Sequence, residues 1–296
     1  MKTDLGIFLR GMLMGAADVV PGVSGGTMAL ITGIYHTLLS SISRIDLEAL
    51  RLLVSGDWRA AWVRINGRFL VVLGSGIAIS IVSLAQGILW ALEHYPLPLW
   101  SFFFGLIAAS AWWLLRQLNR ISALMIALLL CAALAAGSLV LWVPSSVEVQ
   151  SWMFFGAGFV AICAMILPGV SGSLLLVLLG MYEPVLQALR QFDIGSVGLF
   201  CVGAGAGLMT FSRILNYFLT THLSATLAVL TGFLWGSLVM VWPWRVATES
   251  FVLVSPDRFA QLSGSPMILE CLISCAVGLI LVFLVQSRWG HDSAGS

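Results

Sequence analysis

Six uninterrupted apolar runs, at residues 69–92, 99–115, 121–143, 196–219, 225–242 and 267–287, dominate this chain of 296 residues. A helix of about 20 apolar residues crosses a hydrocarbon core about 30 Å thick, and each run is of that order. Irregular backbone exposed to lipid would leave amides and carbonyls without partners, so uniform runs of this kind span as helices. Composition agrees, with 60% of residues apolar and 9% charged, against about a quarter charged in soluble domains. The expectation is an all-α polytopic membrane protein forming one integral membrane domain. Asp4 and Arg10 interrupt the first apolar region, so no cleavable leader is expected.

The chain repeats itself. Val20-Pro21-Gly22-Val23-Ser24-Gly25-Gly26-Thr27 leads through an apolar stretch to Gly33-Ile34-Tyr35, and Leu167-Pro168-Gly169-Val170-Ser171-Gly172-Ser173 leads likewise to Gly180-Met181-Tyr182. Seven of the sixteen aligned positions are identical, which divides the chain into a first repeat, 1–150, and a second, 151–296. Proline removes an amide hydrogen and disfavours a helical residue before it, while glycine admits left-handed backbone, so Pro21, Gly22, Pro168 and Gly169 mark helix breaks. One helix over about 5–43 would be about 58 Å long, nearly twice the hydrocarbon thickness. A re-entrant hairpin of two shorter helices fits better there, and again over about 152–189. Each repeat then holds one broken-helix hairpin and three spans. Three crossings per half make the repeats inverted, an arrangement found in carriers that bind at the midplane.

Basic residues orient this scheme. With the N- and C-termini inside, the cytoplasmic face collects Lys2, Arg10, Arg44, Arg51, Arg59, Arg64, Arg68, Arg116, Arg120 and Arg288, and the outer face Arg190, Arg245 and Arg258. Ten against three follows the positive-inside rule. Eight full spans with the N-terminus outside give the same tally, so charge alone leaves both models open.

Broken backbone at membrane depth is tolerated where it is buried in protein or lines a wet cavity. A half-helix starting at Ser24 or Ser171 would aim unpaired amides and the positive end of its dipole at the protein centre, which suits an anion. Ser24, Gly25, Gly26, Thr27, Ser171, Gly172 and Ser173 are therefore candidate phosphate ligands. The competing reading is that the serines only cap and the glycines only pack. Arg213, inside the run 196–219, costs about 2.5–3.5 kcal/mol to insert at a helix centre and is a further phosphate candidate, against a structural ion pair or a snorkelling side chain. In a loose alignment of the repeats Gln86 corresponds to it. Asp18, Glu183 and His94 are candidates for proton coupling; Asp18 has local capping as its alternative, and the other two the water interface.

No enzyme signature is present. His36, His94, His222 and His291 are scattered, and no His, Cys and acidic residues share metal spacing. Cys131, Cys163, Cys201, Cys271 and Cys275 fall in apolar stretches and read as small buried residues. No catalytic residue, metal or cofactor is expected, and no nucleic-acid partner; the net charge of +1 says nothing about one, because the 14 basic residues are spread along the chain.

At Gly15-Ala16-Ala17-Asp18-Val19-Val20-Pro21-Gly22-Val23-Ser24-Gly25-Gly26-Thr27, together with Leu167 to Ser173, the chain closely resembles the bacterial polyprenyl-phosphate transporter family. The resemblance implies a multi-pass inner-membrane flippase that returns undecaprenyl phosphate from the outer to the inner leaflet for reuse in cell-wall synthesis. Its implied partners are that lipid, or a related polyprenyl phosphate, and the surrounding membrane lipid; homo-oligomerisation is left open. Met165 stands where the first repeat has Asp18, so an acid acting symmetrically is not implied. The residues themselves also suit a small-anion channel, and more distantly a lipid-phosphate hydrolase.

Overall fold

The computed structural model describes residues 3–18, 24–118, 122–138, 149–247 and 251–289. The first repeat opens with α1 (Asp4–Asp18), α2 (Gly25–Ile31) and α3 (Tyr35–Ser43). Two short helices follow, α4 (Leu47–Val54) and α5 (Trp58–Arg64), and then α6 (Gly67–His94), α7 (Pro96–Arg116) and α8 (Ala123–Ser138). The second repeat runs through α9 (Ser151–Ile166), α10 (Gly172–Leu178), α11 (Tyr182–Arg190), α12 (Ile194–Thr221) and α13 (Leu223–Ser237). An antiparallel hairpin, β1 (Arg245–Ala247) and β2 (Phe251–Leu253), α14 (Pro256–Ser263) and α15 (Ile268–Trp289) complete it. Among the described residues four helices, α6, α7, α12 and α15, are individually long and apolar enough to cross a membrane.

Each hairpin has three helices rather than the expected two. The extra bend falls at the repeated Gly-x-Tyr, where Gly33 and Gly180 adopt φ values of 68° and 65°. Ile34 N donates to Ala29 O and Gly33 N to Leu30 O, while Met181 N donates to Leu176 O and Gly180 N to Val177 O. These are paired Schellman closures, which end α2 and α10 by satisfying their last carbonyls and need a left-handed residue to do so. The second such turn bends α10 and α11 by 106°.

Long helices associate as parallel pairs along glycine seams, where a missing Cβ lets backbones touch. Gly11 packs on the Leu73 carbonyl and Gly15 on that of Ile77, so α1 and α6 run in the same direction. Gly203 against Phe155 and Gly207 against Phe159 make α12 parallel to α9. Across the two repeats, α13 lies parallel to α8 through Gly232 on Leu129 and Gly236 on Ala133. The fourth pair is α7 and α15, with Cys271 beside Ser101 and Cys275 beside Gly105.

Direction settles where the first hairpin goes. Asp4 at the start of α1 pairs with Arg68 at the start of α6, 2.5 Å apart, and Asn66 Nδ2 donates to Ser41 Oγ near the end of α3 at 3.4 Å. The start of α1 and the end of α3 therefore both lie near the start of α6. In the second repeat, residues 191–193 join α11 directly to α12, whose start lies on the same face as the start of its parallel partner α9. Arg213, late in α12, reaches the end of α3, which brings that part of α12 toward the end of the bundle where α6 starts. The core between these elements is apolar, with Ile34, Leu39, Ile107, Leu230 and Leu234 fully enclosed. Cys131 and Cys201, expected to be buried, are exposed on helix surfaces; facing lipid, an apolar side chain has no need of a protein neighbour.

Candidate functional site

The two breaks meet. In the second, the chain leaves α9 through Leu167, extended at φ −70°, ψ 124° as its following proline demands. It passes Pro168 and turns at Gly169, whose φ is 81°. Pro21 and Gly22 of the first break lie outside the described residues, but its far side is in place. Ser24 caps α2, its Oγ accepting from Gly26 N at 3.1 Å. The same hydroxyl donates toward Met165 O at 2.9 Å, with Leu167 O at 3.3 Å. Gly169 N donates back to Thr27 Oγ1 at 3.0 Å, and the Tyr35 hydroxyl to Ile166 O at 3.0 Å. A Cβ on Gly26 would lie 2.5 Å from Ile166 O, so that glycine is what lets α2 close on the end of α9. Ser24, Thr27 and Ser171 are all buried.

The breaks differ in how their amides are used. The Asp18 carboxylate accepts from Gly25 N at 2.7 Å, and Thr27 N donates to Ser24 O. Among the described residues of the first break, the amides of Gly25, Gly26 and Thr27 are thus already engaged by Asp18 and Ser24 rather than unpaired as expected. In the second break Met165 brings no carboxylate, and no side chain caps α10. Ser171 and Ser173 bond one another there at 2.9 Å; Gly172 is buried, and Ser173 is exposed. The more available anion donors lie at the second break.

Other candidates are placed elsewhere. Arg213 is exposed on α12, where its Nε and Nη2 donate to the carbonyls of Ser43 and Ile45 at 3.3 and 2.7 Å. It bridges α12 to the last turn of α3, about 12 Å of helix from Tyr35 and the breaks. The run around it suggested mid-span depth; in the fold its guanidinium is tied to the end of α3. Glu183 is exposed in the first turn of α11. His94 ends α6, stacked on Trp90 at 4.8 Å with Nδ1 2.9 Å from Trp90 O. Of the three proton-coupling candidates, only Asp18 touches a break.

Arg10 is a residue that the sequence did not mark as a site candidate, where it weighed only on topology and on the absence of a leader. It is 2% exposed, and its Nε donates to Thr32 O at 3.2 Å. Beside it, Gln286 Nε2 donates to Ile31 O at 2.6 Å. Both hold the C-terminal carbonyls of α2, where a cation is favoured by the helix dipole. The available signal was an arginine in an apolar hairpin. Next to this hairpin, a cavity of about 270 Å³ is lined almost wholly by apolar side chains, among them Leu13, Ala17, Met28, Phe103 and Val282.

Comparison with known proteins adds function to this geometry. Residues 14–255 match the family model described as VCA0040-like, undecaprenyl phosphate translocase-like. A protein of Vibrio cholerae serotype O1, described as a polyprenyl-phosphate transporter, is 41% identical over 292 residues, covering 94% of this chain and 95% of its own. A Staphylococcus aureus protein of the same description is 34% identical over 275 residues, covering 83% and 91%. No solved structure matches the chain.

Proposed function

Because the chain belongs to the undecaprenyl phosphate translocase-like family, we propose that it carries undecaprenyl phosphate from the outer to the inner leaflet of the bacterial cytoplasmic membrane. The observation that carries this reading is the meeting of the two Pro-Gly-Val-Ser-Gly breaks, joined by Ser24 to Met165 and Gly169 to Thr27. It places irregular backbone and hydroxyls inside a lipid-embedded protein, beside an apolar cavity suited to the prenyl chain. Ser171, Gly172 and Ser173 receive the phosphate first, since α10 has no side-chain cap.

The two halves act as inverted repeats with both termini cytoplasmic. Supporting this, α6 and α12 each have 28 residues, and each hands over through a single residue, Tyr95 or His222, to the next helix. Gln86 and Arg213 then occupy the same, twentieth, position. Alternating exposure follows from an asymmetry between equivalent contacts: α12 packs along α3, whereas α6 has no comparable packing on α11. In this conformation the side holding α3 is closed, with Arg213 as its latch. When α3 and α12 part, the guanidinium is released from its two carbonyls and can meet the phosphate as a fork-shaped donor.

Asp18 supplies the coupling. Carboxylate and phosphate compete for the Gly25 amide, and protonation weakens the carboxylate as an acceptor. Phosphate therefore enters with a proton. This offsets the cost of about 2.3 kcal/mol per 100 mV of moving one negative charge toward an inside-negative face.

Proteoliposomes loaded with headgroup-labelled undecaprenyl phosphate test the function. The label should become accessible from the opposite side faster than in protein-free vesicles, and faster still with a proton gradient. Release of inorganic phosphate would instead indicate a hydrolase, and chloride conductance without lipid movement would indicate a channel; either outcome refutes the reading.

A further inference from the structure

Between α3 and α6 the first repeat carries 23 residues, 44–66, where the second repeat joins α11 to α12 with three, 191–193. This insertion forms α4 and α5, started by Asp46, which accepts from Ala49 N at 2.8 Å, and Asp57, which accepts from Ala60 N at 3.0 Å. Apart from Ile45 O, which accepts from Arg213, the insertion contributes little to the pairing of the long helices. Its surface is unlike that of a solvated loop: Leu47, Val54 and Trp58 are 74%, 82% and 70% exposed. Between the helices lies an open slot of about 480 Å³, lined by Ile45, Leu50, Leu53, Trp58, Trp62 and Ile65, with Arg59 also on its wall.

The charges are divided. Arg64 is held by Asp46 and Glu48, each at 2.6 Å, and Arg68 by Asp4. Among the described residues Arg44, Arg51 and Arg59 enter no ion pair. Asp57, the remaining carboxylate of the segment, is committed to its helix cap. An apolar slot and exposed tryptophans beside uncompensated arginines match an interfacial helix pair on an anionic lipid surface. The α4–α5 pair leaves the bundle where α3 ends and α6 begins, at one end of a helix long and apolar enough to cross a membrane.

We propose that α4 and α5 form a binding site for an anionic phospholipid of the leaflet on their side. One acyl chain fills the slot and the headgroup phosphate meets Arg59, with Arg51 and Arg44 adding to the attraction. This site is separate from the carrier path and independent of which lipid is carried.

The full-length protein in nanodiscs tests it. With native cysteines replaced, nitroxides at Leu50 and Val54 should collide with oxygen in preference to a water-soluble nickel chelate. Nitroxide-labelled phosphatidylglycerol should be immobilised in preference to labelled phosphatidylcholine. Arg51→Gln and Arg59→Gln should each lower that preference about five-fold, corresponding to about 1 kcal/mol per basic residue near an anionic surface. Arg59→Lys should keep it, and helical circular dichroism verifies folding of each variant. Preferential collision with nickel at both positions would overturn the proposal by placing the hairpin in water. So would exclusion of both reagents, which would mean a protein covers the slot, or equal immobilisation of the two lipids by the parent.

Discussion

Replacing Arg213 with Gln tests the latch when the α3–α12 separation is read alongside transport. Its guanidinium makes two hydrogen bonds to the carbonyls of Ser43 and Ile45. Hydrogen bonds from a charged donor contribute about 1.5–3 kcal/mol each when shielded, and a cation at a helix C-terminus about 0.3–1 kcal/mol. Arg213 is exposed, so solvent screening reduces the sum, and about 2 kcal/mol for the pair is the scale expected. That is a shift of about thirty-fold in the ratio of closed to parted α3 and α12. Gln can still donate to one carbonyl but without charge; Lys keeps the charge and offers one nitrogen, so it should fall between. Spin labels at Arg44 and Tyr217 read the α3–α12 separation by pulsed dipolar spectroscopy. The parent should give one short distance, and Arg213→Gln a second, longer population with reduced net transport. An unchanged distance distribution alongside lost transport would refute the latch and leave Arg213 acting on the substrate alone. Melting with added undecaprenyl phosphate supplies the cross-check, since a ligand bound only by the parent raises only the parent's melting temperature.

Asp18→Asn keeps an acceptor for Gly25 N, so its melting temperature should stay within a few degrees of the parent's while proton-driven transport falls; full retention of the proton dependence would remove Asp18 from coupling. Thr27→Val preserves shape but leaves the buried Gly169 amide without its acceptor, which should destabilise by about 1–3 kcal/mol in denaturant melts. Cysteines placed at Thr3 and Ser55 in a cysteine-free background should both resist an impermeant thiol reagent outside intact cells, and one at Ser146 should react. Labelling of only one of the first pair would refute the hairpin. Asp46 is held at about 2, below its usual 3.8, chiefly by the Arg64 hydrogen bond. Its stabilising contribution is thus complete above about pH 4 and is lost as pH falls through about 2, so a nitroxide at Leu53 should gain mobility only across that window.

Much of this architecture was legible in the chain. Apolar runs fall within a few residues of α6, α7, α12 and α15, because lipid demands length and uniform apolarity whatever the neighbours are. The motif from Leu167 to Ser173 located the break between α9 and α10, since proline and glycine act on their own backbone and need no tertiary partner. The bends at Gly33 and Gly180 belong to the same class; the repeated Gly-x-Tyr was visible, but its Schellman closure was not deduced. What only the tertiary structure decided are the partners. Nothing in the local sequence says that Ser24 donates to Met165, that Asp18 takes the amide a ligand would want, or that Arg213 lands on the end of α3 rather than at the breaks. Those outcomes depend on how four parallel helix pairs slide along their glycine seams, and a hydrogen bond between residues 141 or 170 positions apart is set by that packing. Depth in the membrane is decided in the same way. A residue in the middle of an apolar run lies at the midplane only if its helix is centred there, and α12, 28 residues and about 42 Å long, exceeds the hydrocarbon thickness of about 30 Å, so its sequence alone does not fix where it is centred.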